Sequence, residues 1–447
     1  MSPAVAGIIG IVLLVVLFLL RMPVAFAMAL VGFVGFAYLT GPEAALSLLG
    51  LDIYDTFSSY PLSVIPMFIL MGTFAFAAGI SQRLFKTAYA WIGHRRGGLT
   101  VATVFACAGF GAICGSSTAT AATMGKIALP EMKKYKYDDT LATGTVAAAG
   151  TLGILIPPSV TMILYGVATE TSIGKCFIAG VIPGILEILL SCIWVGAVFF
   201  FRKIKPAKPG AMYYIEDRGM VESFTWKERL ASLIKVLPFV LIIIGIMGSL
   251  YGGWATPSEA GGLGAVLSLF FVMTIYKIYR PRQLWKIFIR ALNESSMILM
   301  IMAAALLFAY VSSDLYATQA LGELILKLPL GKWGIIVLIN ILLLILGCFI
   351  PPAAVILMVA PLLLPIIKGL GFDPIWFAVI MTVNLEIGLV TPPVGLNLYI
   401  VKNIAPDIPM SHVLLGVIPF VFIEIIVIIC VCIFPELALW LPNKMIG

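Results

Sequence analysis

The chain has 447 residues, of which 62% are hydrophobic and only 11% charged. Soluble domains run at roughly half apolar and one-quarter charged, so the composition excludes a soluble fold and indicates an integral membrane protein. The net charge of +7 does not signal nucleic acid, because the lysines and arginines sit in short links between apolar runs, where the positive-inside rule accounts for them.

In chain order, Met1–Leu20 is apolar over a spanning length and no convincing small-residue cleavage site follows it, so it is expected to be a first span rather than a removable signal. Apolar stretches continue at about 23–40, 61–80, 99–114, 118–131, 141–167 and 176–201, with a loop expected over 41–60. A polar, basic connection covers Arg202–Lys235, followed by apolar stretches at about 236–253, 257–276, 296–312, 333–349, 353–367, 375–401 and 411–434. A spanning helix needs about 20 residues, and the pairs 99–114/118–131 and 333–349/353–367 are short and joined by tight tips. Each pair is expected to form a re-entrant hairpin. Gln82–His94 and Pro281–Leu292 interleave basic with apolar residues and predict amphipathic helices at the membrane interface, with a further such stretch near 315–328.

The stretch "GILIPPS" at 153–159 breaks one apolar run, and "GLVTPPVG" at 388–395 breaks another 235 residues later. The hairpin tips "CGSSTA" (114–119) and "FIPPAA" (349–354) keep the same offset, as an internal repeat does in many secondary transporters. Each half then has five crossings, an odd number, so the second half is expected to be inverted. With the N-terminus outside, 23 basic residues fall in the cytoplasm and only Lys175, Lys327, Lys332, Lys368 and Lys444 outside. The expected fold is therefore an all-α polytopic membrane protein of two inverted-topology repeats, each with a re-entrant helical hairpin and a broken helix.

Broken helices survive in hydrocarbon only where protein, water or ions satisfy their backbone groups. A single Pro-Pro in a span is ordinarily a kink, and Ser-Ser-Thr ordinarily bonds back to its own helix; repetition beside two hairpins favours a site. Oxygens converging with little formal charge suit sodium, whereas calcium wants several carboxylates. The expected sodium ligands are Gly115, Ser116, Ser117, Gly153, Ile156 and Pro157 in the first half and Phe349, Ile350, Pro351, Gly388 and Thr391 in the second. Helix N-termini after the breaks favour an anion, so Ser117, Thr118, Thr120, Pro158, Ser159, Pro352, Asn384, Pro393 and Asn397 are the expected substrate contacts. Glu386 is the foremost intramembrane acid, while Glu187 and Glu424, in the final span of each half, suit helix packing as well as an ionic role. The seven cysteines have no metal-like spacing and the two histidines lie at membrane edges, so neither a zinc site nor an intramembrane hydrolase is expected.

At "GAICGSSTATAATMG" (111–125), "GILIPPS" (153–159) and "NLEIGLVTPPVGLNLYI" (384–400) the sequence resembles the large membrane subunit of tripartite ATP-independent periplasmic (TRAP) transporters, over essentially the whole chain. The resemblance implies a sodium-driven, elevator-type importer of an organic acid such as a C4-dicarboxylate, sialic acid or sugar acid. It also implies two partners, a small four-helix membrane subunit as a separate chain and a soluble periplasmic binding protein. The location would be the bacterial inner membrane, with both termini periplasmic. Residues 1–98 and 202–332 would supply scaffold helices and interfacial arms, and residues 99–201 and 333–447 the moving transport parts. One departure stands out: family members often carry an acid near the second tip, roughly "GMFLD", where this chain has Gly347-Cys348-Phe349-Ile350-Pro351-Pro352. Ligands there must be backbone oxygens. The alternative is a self-sufficient ion-coupled carboxylate carrier or antiporter of related hairpin fold.

Overall fold

The computed structural model describes residues 3–20, 22–201, 224–315 and 329–445, and among these it is helical throughout, without strands. The first half comprises α1 (Pro3–Leu19), α2 (Val24–Thr40), α3 (Pro42–Ser58), α4 (Val64–Ala77), α5 (Ile80–Ile92), α6 (Gly98–Cys114), α7 (Ser117–Lys134), α8 (Asp139–Ala149), α9 (Val160–Ala168) and α10 (Ile173–Phe201). The second comprises α11 (Trp226–Tyr251), α12 (Pro257–Thr274), α13 (Pro281–Asp314), α14 (Lys332–Phe349), α15 (Pro352–Gly369), α16 (Pro374–Leu389), α17 (Leu396–Ile404), α18 (Met410–Ile433) and the short α19 (Glu436–Met445). Seven of these helices are individually long and apolar enough to cross a bilayer, or eight if α3 and α4, bent by 62° at their junction, count as one span. Large apolar side chains such as Val34, Ile244, Ile341 and Phe422 stand exposed on the outside, as a lipid-facing surface requires. The chain is a multi-pass membrane protein.

Three expectations are corrected. Residues 41–60 are not a loop: Pro42 at the first helical position and Glu43 in the first turn start α3, a favourable combination for a helix N-terminus. The basic stretch from Pro281 is not a separate interfacial arm, because α13 runs unbroken for 34 residues, about 51 Å at 1.5 Å per residue. No glycine or proline follows Pro281 within it, so the change from amphipathic to apolar composition needs no break. The hairpin arms α14 and α15 have 18 residues each and are each long and apolar enough to cross, so length alone does not make that pair re-entrant. The amphipathic stretch expected near 315–328 lies, from residue 316 on, outside the described residues, as do Arg21 and most of the 202–235 connection.

Two groups of helices build the core. In one, α2 and α3 pack on α13, α4 packs on α12 and α13, and α5 packs on α11. Glycines allow the close approach: a Cβ at Gly32 would fall 2.9 Å from Leu307, and one at Gly264 would fall 2.8 Å from the Met71 sulfur. In the other group, α8 crosses α18 so closely that a Cβ on Gly144 would lie 2.2 Å from the Gly416 backbone, the small-residue contact that replaces hydrophobic driving force between membrane helices. The halves interlock here. The second arm of each hairpin packs on the helix that follows the other half's break, α7 on α17 and α15 on α9, and α16 likewise packs on α10.

Candidate substrate cavity and ion sites

Each hairpin tip is a helix stop followed at once by a helix start. Gly115, at φ +61°, ends α6 in the left-handed region that glycine adopts without steric cost. Ser116 then caps α7 by accepting from the Ala119 amide at 3.4 Å. In the second hairpin Pro351 stands at the cap position and Pro352 opens α15, where a missing N–H costs nothing. The breaks are built alike. Past α8 a 3-10 turn over Thr151–Ile154 leads into Pro157-Pro158, and α9 restarts with Ser159 as cap; past α16, Pro392-Pro393 and Gly395 precede α17. The Pro157-Pro158 and Pro392-Pro393 bonds are both cis.

The structure brings each tip against its own break. A Cβ on Gly111 would sit 2.4 Å from the Gly153 Cα, and one on Gly388 2.6 Å from the Gly347 carbonyl carbon; these glycine pairs keep the internal offset of the sequence to within one residue. At the first junction the Thr120 hydroxyl and the Ser116 carbonyl oxygen face Gly153, at 2.9 and 3.0 Å from where its Cβ would be. At the second, the Gly347 oxygen lies 2.9 Å from a Cβ on Gly388, and the Thr391 oxygen 3.0 Å from one on Gly395. Oxygens thus crowd both junctions with no side chain between. Some have protein partners already. The Ile154 carbonyl, which Pro158 leaves without its helical amide, accepts from Ser159 Oγ at 2.5 Å and Thr161 Oγ1 at 2.8 Å. Thr391 Oγ1 donates to the Ile387 carbonyl at 2.6 Å, which leaves its lone pairs available.

Between the two helix groups lies a cavity of about 1150 Å³. Gly115, Ser116, Ser117 and Thr118 of the first tip and Phe349, Ile350, Pro351 and Pro352 of the second all line it. Thr161 and Tyr399 contribute from the helices after the breaks, Val394 from the second break itself, and Arg290, Glu294 and Ser296 from α13. Of the remaining expected residues, Thr120, Gly153, Ile156, Pro157, Pro158 and Ser159 stand behind the first tip, and Gly388, Thr391 and Pro393 belong to the second junction, none of them in the cavity wall. Asn397 is wholly buried and ties the halves together, donating from Nδ2 to Ser117 Oγ at 2.8 Å and to the Ala147 carbonyl at 3.0 Å, with its Oδ1 unpartnered. Asn384 is buried in a helix contact instead, donating to the carbonyl and side-chain oxygens of Asn340 at 3.0 and 2.9 Å.

Several residues escape sequence reasoning. Thr161 shares the Ile154 carbonyl with Ser159, and its only signal is its place two residues past the cap. The three intramembrane acids are far apart in sequence, yet the fold brings Glu187 and Glu424 close enough to act electrostatically on Glu386, and Thr151 Oγ1 donates to Glu424 Oε1 at 3.1 Å. Arg290 reads as the end of a cytoplasmic link and is in fact a cavity residue. At the far end of the hairpin, Lys133 Nζ donates to Asp407 Oδ2, joining α7 to the loop before α18. That bond holds the Asp407 carboxyl below the usual carboxylate range and raises the Lys133 ammonium.

The family model for the DctM component of the tripartite ATP-independent periplasmic transporters matches residues 11–437. The chain belongs to the DctM family. Among its relatives, a C4-dicarboxylate TRAP transporter large permease protein from Pseudomonas aeruginosa is 39% identical over 405 residues, 91% of each chain. A sialic acid TRAP transporter large permease protein from Vibrio cholerae is 30% identical over 428 residues, 95% of this chain and 96% of that one. An isethionate TRAP transporter permease protein from Oleidesulfovibrio alaskensis is 34% identical over 354 residues, and there the DctM chain matches only 53% of a longer protein. The fold is similar to that of the YdaH transporter of Alcanivorax borkumensis, with a TM-score of 0.61 over 88% of this chain and 90% of that one, at 13% identity. These relatives are named as transporter permeases, and the DctM chain is accordingly a transporter component and not an enzyme.

Proposed function

We propose that this chain is the transport subunit of a sodium-coupled importer of an organic acid in the bacterial inner membrane. It would act with a small four-helix membrane subunit and a soluble periplasmic binding protein, and its termini would face the periplasm. The carrying observation is the single cavity into which both hairpin tips project, with the starts of α7 and α15 at its wall. Such helix starts present unpaired amides and the positive end of the helix dipole, a setting for a carboxylate. Behind the tips, sodium would be held by the oxygens around Ser116, Ser117, Thr120 and Gly153, and by those around Gly347, Gly388 and Thr391. Carbonyls and hydroxyls without clustered carboxylates suit a monovalent hard cation.

An ion bound behind a tip orders the residues that face the cavity, which couples ion and substrate affinity by roughly 1–3 kcal/mol in typical cases. The hairpins and broken helices would move as one body against α2–α5 and α11–α13. Uptake into proteoliposomes containing the complete system, under imposed sodium gradients, tests this. Ser117→Ala and Thr391→Ala should each raise the sodium concentration for half-maximal uptake several-fold. Unchanged sodium dependence in both variants would overturn the ion assignment, and full uptake without the binding protein would favour a self-sufficient carrier.

A further inference from the structure

Arg290 is the one cationic side chain lining the cavity among the described residues, and Glu294, one helical turn farther on, is the one acidic one. The two form no ion pair, and Arg290 donates no hydrogen bond to any described residue. Its guanidinium instead lies over the Phe76 ring, with Cζ 4.6 Å from the centroid. Phe76 in turn packs on Phe110 of the first hairpin, centroids 6.4 Å apart. Stacking on an aromatic face orients a guanidinium while leaving its N–H edge free. A planar fork of donors so held matches a carboxylate, which it can bind through two parallel hydrogen bonds.

The cavity thus carries two separate attractions for negative charge, the start of α7 behind Ser116 and the Arg290 fork on α13. From this placement we propose that Arg290 binds the second carboxylate of a dicarboxylate whose first carboxylate sits at the tip Ser117-Thr118, making Arg290 the residue that selects dianions over monoanions. The inference rests on the transport function proposed above and adds a specificity residue to it. Because Arg290 belongs to the helix group that packs α2, α3 and α4, and the tips to the other, the substrate bridges the two groups in this conformation.

The test uses the intact transport complex in proteoliposomes under an inward sodium gradient, with labelled succinate as substrate and its monoamide, succinamate, as competitor. Arg290→Gln should raise the KM for succinate about tenfold, in line with loss of charged hydrogen bonds, while the half-inhibitory concentration of succinamate stays unchanged. Arg290→Lys keeps the charge without the fork and should raise KM about threefold, and it serves if the glutamine variant does not assemble. An unchanged KM, or an equal rise for succinate and succinamate, overturns the assignment while wild-type uptake upholds the transport function. A wild-type complex that imports another organic acid but neither takes up nor binds succinate overturns the dicarboxylate inference alone. Failure to import any organic acid under a sodium gradient overturns both.

Discussion

Lys133 and Asp407 form an ion pair between α7 and the loop before α18. Both side chains are largely exposed, at 68% and 57%, so solvent screens the pair and its contribution to stability is small. The sign of its pH dependence is nevertheless defined. Asp407 is held below its ordinary range, so its share is present at neutral pH and is lost as pH falls through that lowered value. Lys133 is raised, so its share persists until pH rises through the raised value. Thermal unfolding of Asp407→Asn should therefore lie slightly below wild type at neutral pH, with the difference beginning to shrink below about pH 4 and vanishing once pH has passed the lowered Asp407 value. A difference that does not shrink at all as pH falls below that range would show that the loop before α18 does not depend on this pair.

Helix crossings are decided by glycines that leave no room for a methyl group. Gly388 meets the Gly347 backbone with a notional Cβ at 2.6 Å, and neither partner is the end of a flexible side chain. Gly388→Ala should destabilise the detergent-solubilised protein by ~1–3 kcal/mol through overpacking, read as a lower Tm. Gly245→Ala is the matched control, because a Cβ there has nothing within 4 Å, and alanine is the better helix former; its Tm should hold or rise. The spacing of Gly111 with Gly153, and of Gly347 with Gly388, is legible in the sequence only as a repeated pattern. That the two members of each pair touch depends on how each hairpin folds back on its break. The same limit explains Asn384, whose position beside the second break suggested a ligand while the α14–α16 packing turns its amide toward Asn340.

At the scale of the molecule, two helix groups face one another across the cavity, and the proposed transport requires them to move. Phe76 on α4 and Phe110 on α6 meet across that boundary. Phe76→Cys with Phe110→Cys, in a background lacking the native cysteines, should lose most of its sodium-driven uptake on bridging by a short bifunctional thiol reagent, while each single variant should show the same uptake with and without the reagent. This follows from the two-body gating expected of repeat-built transporters, and full uptake by the bridged protein would mean that transport proceeds without relative motion at this contact.

The sequence by itself determined the membrane setting, the helical class, the two hairpin tips, the two proline breaks and the internal offset that relates them, because burial in lipid forces helices and because glycine and proline mark where a helix must stop. It misjudged 41–60, read as a loop between two apolar runs although Pro42 and Glu43 begin a helix, and 281–314, where a change in polarity suggested a boundary that the backbone does not need. Only the tertiary structure decided which broken ends meet, that Asn397 of one half donates to Ser117 of the other, that Glu187, Glu386 and Glu424 come near one another, and that Arg290 lines the cavity. Those contacts join residues hundreds of positions apart, and helix periodicity, being local, records which face of a helix is apolar but not which partner that face will find.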